Sequence, residues 1–531
     1  MLFDAKEHRV GDRKRIKAMD RSTPQAGHRM GLTKNTATTL LALNGLDVRP
    51  NSAVSVENTE VGLIWSDQNV AVLAPSGSRL LSGFEGESSA AGDRTLVLGP
   101  MNATNLNALR DLLPWLRPRL LGTRTSAGFG DRLGLATPGH VRALRAARGG
   151  LAPIFAQQSI REMERTGRSP QEVLDDATWG VFAEGWQRGF GADADHLKTA
   201  EDIDACVAAG YSFFTFDPGE YVDDGAEASG ASALRTALED LPWRDLEDLP
   251  ADMKRRYLDR AFVADGHEIR FDDLSLARAA VKYGAAVAHV ARLYRHLQAA
   301  MGEEAFEVEV SVDETESPTT HAQHIYIAME LQRLGVRWVS LAPRYVGRFE
   351  KGVDYMGDLA EFEKDIEVHA AIVRTVSPDG PYKLSLHSGS DKFSIYPAFV
   401  RQTRGFAHLK TAGTSYLEAL RTVAALDPGL FRDVYAFARR CYEEDRASYH
   451  VSAEIGRSPL PGDLGEADLP ALLEQFDARE ILHVTFGSVL KEARFRDRLF
   501  GLLQEHPEHC AAGLERHFLR HLKPFANGGT T

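Results

Sequence analysis

A chain of 531 residues exceeds one ordinary hydrophobic core, so a main domain with attached parts is expected. Apolar residues at 43%, charged residues at 26% and a net charge of −13 describe a globular protein, and the lack of a long basic run beyond the N-terminus argues against a nucleic-acid partner. Cys206, Cys441 and Cys510 have no CxxC spacing, no apolar run reaches the ~20 residues of a membrane span, and Met1 to Lys17 has no signal-peptide core, so a disulfide scaffold and a membrane are excluded and a cytoplasmic protein is expected.

Residues 1–45 are polar and basic without periodicity and read as a loosely ordered arm. Short apolar runs and a helical pattern over 46–125 read as a small α/β appendage. After Gly128, short apolar runs ending in polar residues alternate with amphipathic stretches, the pattern of βα units and a parallel sheet. Eight strands are predicted, at 133–137, 153–157, 192–196, 213–217, 307–313, 337–341, 383–387 and 406–410. Helices fall between them, at 139–148, 200–209, 321–334 and 362–376. Eight such units predict a (β/α)8 TIM-type barrel over 126–415. The interval 218–305 is too long for a simple crossover and reads as a helical insertion after the fourth strand. Residues 416–531 read as a helical C-terminal extension on the barrel's outside.

In such barrels chemistry sits at the strands' C-terminal ends. Here those ends carry Gln157-Gln-Ser-Ile-Arg161, Asp193-Ala-Asp-His196, Asp217, Asp313-Glu314, Arg344, His387-Ser-Gly-Ser-Asp-Lys392 and His408-Leu-Lys410. A barrel core wants branched apolar residues, so each of these must be solvated, paired or coordinated. Singly, His196 and His387 read as hydrogen-bonded core histidines. Together, beside Asp195, Asp217 and Glu314, they read as ligands of a divalent cation such as zinc, manganese, iron or nickel. His321 and His324 form an HxxH pair, more simply read as a polar helix start after Thr319-Thr320. His140 reads as another helix start. Lys410 is either a substrate cation or an ion-pair partner.

The glycines carry less. Gly128-Phe-Gly130 precedes the first predicted strand and is no dinucleotide fingerprint; GxxxxGK[ST] and GxSxG are both missing. The loop His387-Ser-Gly-Ser390 reads as an anion cradle with Lys392 beside it.

Several stretches are long enough to be specific. They are Gly130-Asp-Arg-Leu-Gly-Leu-Ala-Thr-Pro-Gly-His140, Phe155-Ala-Gln-Gln-Ser-Ile-Arg-Glu162, Gly191-Ala-Asp-Ala-Asp-His-Leu-Lys198, Val312-Asp-Glu-Thr315, Phe349-Glu-Lys-Gly-Val-Asp-Tyr355, Leu386-His-Ser-Gly-Ser-Asp-Lys392 and His408-Leu-Lys-Thr-Ala-Gly413. In these the chain resembles the tagaturonate/fructuronate epimerase family of bacterial hexuronate catabolism, from about residue 50 onward. The resemblance implies a divalent-metal-dependent enzyme that inverts C4 of a keto-hexuronate. It makes Asp195 the proton acceptor, Glu314 the proton donor, and His196 and His387 metal ligands. Asp354 is the third ligand it suggests, with Glu314 as the alternative. Gln158, Arg161, Arg344, Lys392 and Lys410 are the candidates for binding a small keto-sugar acid. A homo-oligomer is left open.

With the ketone at C2, the C4–H bond is not acidified, whereas the β-hydroxy ketone is set up for retro-aldol cleavage between C3 and C4. Hydride transfer through NAD is disfavoured by the missing Rossmann fingerprint. The other functions to weigh are a class II-type aldolase, a metal-dependent isomerase and a non-catalytic sugar-acid sensor.

Overall fold

The computed structural model describes residues 38–39, 41–42, 44–64, 68–376 and 380–527, so most of the expected 1–45 arm lies outside the described residues. An antiparallel sheet of β1 (Val54–Val56), β2 (Thr59–Leu63), β3 (Asn69–Pro75), β4 (Glu87–Ala91) and β5 (Arg94–Pro100), in the order β1-β2-β3-β5-β4, is followed by the helix Ala103–Leu112. Beyond it, β6 (Ser126–Phe129), β7 (Ala152–Ser159), β8 (Gly191–Leu197) and β9 (Phe213–Phe216) begin a barrel. After a hairpin of β10 (Ala261–Ala264) and β11 (His267–Arg270), it continues with β12 (Glu307–Ser311), β13 (Ser340–Ala342), β14 (Lys383–Leu386) and β15 (Ala407–Thr411). All eight barrel pairings are parallel, and β15 closes on β6. The (β/α)8 barrel expected from the sequence is therefore present.

The first strand lies elsewhere than predicted. The apolar run at 133–137 is a turn: Asp131 accepts from the N–H groups of Leu133, Gly134 and Ala136, and Gly134 is left-handed at φ +73°. The chain then enters the helix Thr137–Ala147, with Pro138 in its first turn. The real strand, Ser126-Ala-Gly-Phe129, is short and mostly small residues, and Gly128-Phe-Gly130 lies in and just past β6 rather than ahead of it. Gly139 is needed there for close packing: a Cβ would stand 2.4 Å from the Leu514 Cβ of the helix Pro507–Asn527.

In the long interval between β9 and β12, the helix Asp273–Met301 starts at an Asp272/Ser275 capping box and buries an Ala- and Val-rich face. It packs between the helices Ala200–Ala209 and His321–Arg333, at the place of the barrel's fourth crossover helix, and the rest of the interval adds further helices and the β10–β11 hairpin.

The barrel interior departs from the aliphatic rule. β9 is apolar but for Thr215, close to what a strand buried on both faces should be. In β8, β12, β14 and β15, however, every second residue is polar and buried: Asp193 and Asp195, Glu307 and Glu309, Lys383 and Ser385, His408 and Lys410. At the bottom, Lys383 donates to the Ser126 hydroxyl, which also meets His408 Nδ1 at 2.8 Å, and Glu307 accepts the Leu121 N–H at 2.9 Å. At the top, this ionic layer becomes the floor of a cleft. Among the described residues no helix is long and apolar enough to cross a membrane.

Candidate active site

The floor is built around Lys410. Its ammonium, fully buried, lies 2.8 Å from Asp193, 2.7 Å from Asp195 and 3.0 Å from Glu309, and donates to the Thr215 hydroxyl at 2.7 Å. Burial alone would raise the Asp195 carboxyl, but Lys410, then His387 and His196, outweigh it and hold it well below the usual carboxylate range. Glu309 is lowered for the same reasons, chiefly Lys410 against burial.

Above the floor stand two imidazoles. His387, one residue past β14, brings Nε2 to 3.3 Å from Asp195 and Nδ1 to 3.2 Å from Glu309, with no aligned hydrogen bond to either. The His196 ring lies 4.4 Å from that of His387, tilted by 32°. Its Nδ1 lies 3.3 Å from Asp217 and its Nε2 3.8 Å from Glu314. His196 reaches this position through an irregularity: the β8–β9 register shifts between Ala194 and Leu197, and His196 has φ +55°, a left-handed backbone rare for a non-glycine. Backbone strain of this kind collects at functional sites.

Asp195, His196 and His387 offer ligand atoms all within 4.8 Å of one another. Buried nitrogens on both histidines lack a hydrogen-bond partner. Burial and Lys410 oppose a charge on His387, yet Asp313 and Asp195 outweigh them and raise its pKa to about 10. A field that draws a proton so strongly draws a metal cation too. These residues therefore fit a divalent ion.

Glu314 faces this cluster from the rim. Burial would raise it, but Lys351, His196 and Arg161 dominate and keep it ionised. Lys351 donates to Glu314 at 3.4 Å and to Ser388 at 3.1 Å, and Ser388 donates to Asp313 at 3.0 Å. Arg161 lies 3.6 Å from Glu314 with its guanidinium over the Tyr449 ring. Around them opens a cleft with about 530 Å³ of empty space, lined by Gln157, Arg161, Lys351, Tyr449 and His483 among others.

Asp195, His196, His387, Glu314 and Arg161 thus come together. Other predicted residues lie differently. Gln158 turns away from the cleft, accepting from the Asp131 N–H and donating to Glu162, while its neighbour Gln157 lines the cleft with both amide atoms unpartnered. Strand alternation separates the two. Lys392 reaches the wall but gives its donors to the carbonyls of Glu350, Val353 and Ser390. Lys410 is wholly occupied by the floor carboxylates. Arg344 lines a smaller adjacent pocket with Asp313, Phe349 and Ser388. Asp354 is exposed and outside the ligand cluster, where it accepts from the Ser394 hydroxyl and N–H.

Sequence reasoning missed Lys351, Tyr449 and His483, and it placed Gln157 at a strand end without giving it a role. Lys351 stood inside the stretch Phe349–Tyr355 that carried the family resemblance, whereas nothing local marked Tyr449 or His483. The C-terminal helices thus do more than cover the barrel's outside. A buried carboxyl of the mouth holds them: Glu350 accepts the Ser452 N–H at 2.7 Å, while Glu480, on the helix Phe476–Val484, accepts the N–H groups of Ser452 and Ala453 at 3.2 and 2.9 Å. Burial, then Glu350, raises Glu480 to about 8 from its ordinary 4.5. The folded protein keeps a proton there that the unfolded chain loses, so stability should fall as pH rises from about 4.5 to about 8 and level off above. Glutamine mimics the protonated acid, so Glu480→Gln should flatten that stretch of the melting-temperature profile. An unchanged slope would refute the retained proton on Glu480.

An eight-stranded α/β barrel with carboxylates, paired imidazoles and an ammonium gathered at its C-terminal mouth has the make-up of a barrel enzyme. The family model described as tagaturonate epimerase matches residues 51–525, and the chain belongs to that family. A tagaturonate/fructuronate epimerase of Thermotoga maritima is 46% identical over 421 residues, covering 79% of this chain and 85% of that protein. Two crystal structures of the fructuronate-tagaturonate epimerase UxaE of Cohnella laeviribosi, native and with two glycerols, are each 36% identical, with TM-scores of 0.84 and 0.85. Each covers 92% of this chain and 99% of its own. The chain is an epimerase, an enzyme of the isomerase class.

Proposed function

We propose that the chain interconverts D-tagaturonate and D-fructuronate by inverting C4, with a divalent cation held by His196, His387 and a neighbouring carboxylate. The observation that carries this reading is the cluster of Asp195, His196 and His387 at the barrel mouth facing Glu314, in a chain whose relatives are named for that reaction. A divalent ion there would supply Lewis-acid stabilisation of negative charge on the substrate.

The chain's own residues handle the protons. Asp195, held ionised, takes the C4 hydroxyl proton. The C3–C4 electron pair passes to C3 and delocalises onto the C2 oxygen, leaving C4 as an aldehyde. The aldehyde turns, C3 attacks its other face, and the C4 oxygen takes a proton from the Glu314 side. Glu314 rests ionised, so that proton reaches it from Lys351, 3.4 Å away, and solvent resets both ends. The three free cysteines suit a reducing cytoplasm.

Purified protein given D-tagaturonate should form D-fructuronate, stop on chelation and recover with a divalent salt. Full turnover by rigorously metal-free protein would end the metal requirement. In deuterated water the product should carry no solvent deuterium at C4, since its C–H bond stays intact; label at C4 would exclude the retro-aldol route. Arg161, the half-exposed cation of the cleft, is the group assigned to the substrate carboxylate. Arg161→Ala should lower kcat/KM for the uronate about ten- to a hundredfold, the usual value of a charge-assisted contact, and lower that of a neutral ketose analogue by less. Equal losses on both substrates would remove that role.

A further inference from the structure

Two His/Asp clusters lie outside the cleft, and they differ in one respect. In the first, Asp391 is paired with Arg479 at 3.0 Å and with His517 at 2.8 Å, while His521 Nε2 accepts the Asp391 N–H, so its partners are internal and a guanidinium fills it. In the second, His321 Nε2 lies 3.1 Å from Asp365 Oδ1 and His369 Nε2 lies 3.5 Å from the same oxygen. All three ligand atoms lie within 4.8 Å of one another. Among the described residues no Lys or Arg pairs with Asp365, and the wholly buried His369 Nε2 has no hydrogen-bond partner.

The ring behind this nitrogen is already oriented. His369 Nδ1 meets His324 Nδ1 at 2.9 Å, and His324 Nε2 meets the Tyr382 hydroxyl at 2.7 Å. One of the two Nδ1 atoms must carry the hydrogen. When His369 carries it, His324 Nε2–H donates to Tyr382 and the His369 Nε2 lone pair points at Asp365. That is how metal-binding histidines are held, the second ring nitrogen donating to a fixed acceptor. Burial keeps both rings neutral: His369 is lowered to about 4 and His324 well below its ordinary value. His321, at the start of its helix, is one-third exposed and leaves a path to solvent.

We propose that His321, Asp365 and His369 form a second divalent-cation site, separate from the cleft, that takes a zinc-type ion. Bonds of about 2.0–2.1 Å in a tetrahedron put neighbouring ligand atoms roughly 3.3 Å apart, close to the 3.1 and 3.5 Å found here. The Thr319 carbonyl, which also faces His369, and water beside His321 are the remaining oxygen donors. The ion would tie the helix His321–Arg333 to the helix Leu359–Thr375 and to the loop after β13, whose Val346 N–H donates to the other Asp365 oxygen at 3.4 Å.

The test is a zinc count. Full-length protein, stripped of metal and re-equilibrated with zinc, is dialysed and its bound zinc measured per chain, beside His321→Ala and Asp365→Asn. Each variant should bind one equivalent less than wild type and melt at a lower temperature in zinc, with turnover unchanged because neither residue touches the cleft. Asp365→Asn keeps the side chain's shape, so it guards against a folding defect in His321→Ala. Equal zinc in wild type and both variants overturns the site. The cleft reading is scored separately: if the cleft binds no ion, wild type falls from two equivalents to one while the difference from the variants persists.

Discussion

Lys410→Met should cost the protein about 3–5 kcal/mol, the usual penalty for removing one partner of a buried ion pair. The ammonium it deletes lies within 3.0 Å of Asp193, Asp195 and Glu309, all buried. Without it, three carboxylates share one desolvated space, and methionine's volume does nothing for their charge. The readout is thermal melting and soluble yield. A triple variant that also carries Asp193→Asn and Glu309→Gln should recover part of the loss, since it removes the stranded charges. A Lys410→Met protein melting at the wild-type temperature would show that the floor is not held by this cation.

Asp195→Asn should lower kcat by about 10²–10⁴-fold, the range of a general acid–base group. Lys410 keeps Asp193, Glu309 and Thr215 as partners in this variant, so the fold should survive. Asparagine preserves the side chain's shape, which isolates the effect of the carboxylate's charge and basicity. Bound metal per chain separates two roles. Turnover lost with metal retained identifies Asp195 as the proton acceptor; metal lost in parallel makes it a ligand instead. Turnover at the wild-type level would exclude both.

The barrel was legible because most of its strands end in a signal. Gly191–Leu197 and Lys383–Leu386 are short apolar alternations that run into histidine and carboxylate, and the same endings marked the site. Ser126–Phe129 was not legible. Four residues, three of them small, carry almost no β signal, and the apolar turn held by Asp131 imitates a strand. The roles of the lysines were also hidden. A strand-end lysine reads the same whether its ammonium meets substrate or, as for Lys410, three carboxylates from two other strands. His483 and Tyr449 arrive from helices and loops far along the chain, through packing that no local pattern encodes.

The shift in β8 gives the strand two reading frames. Up to Asp195 the odd-numbered residues face the lumen, which places Asp193 and Asp195 on Lys410. After the shift the frame changes parity, so His196 joins its immediate neighbour on the same side, beside His387. A regular strand cannot present two consecutive side chains to one point. The carboxylate that grips the floor and the imidazole above it therefore depend on one misplaced step in the backbone. Design efforts that idealise this strand would gain regular pairing and turn the histidine out of the site.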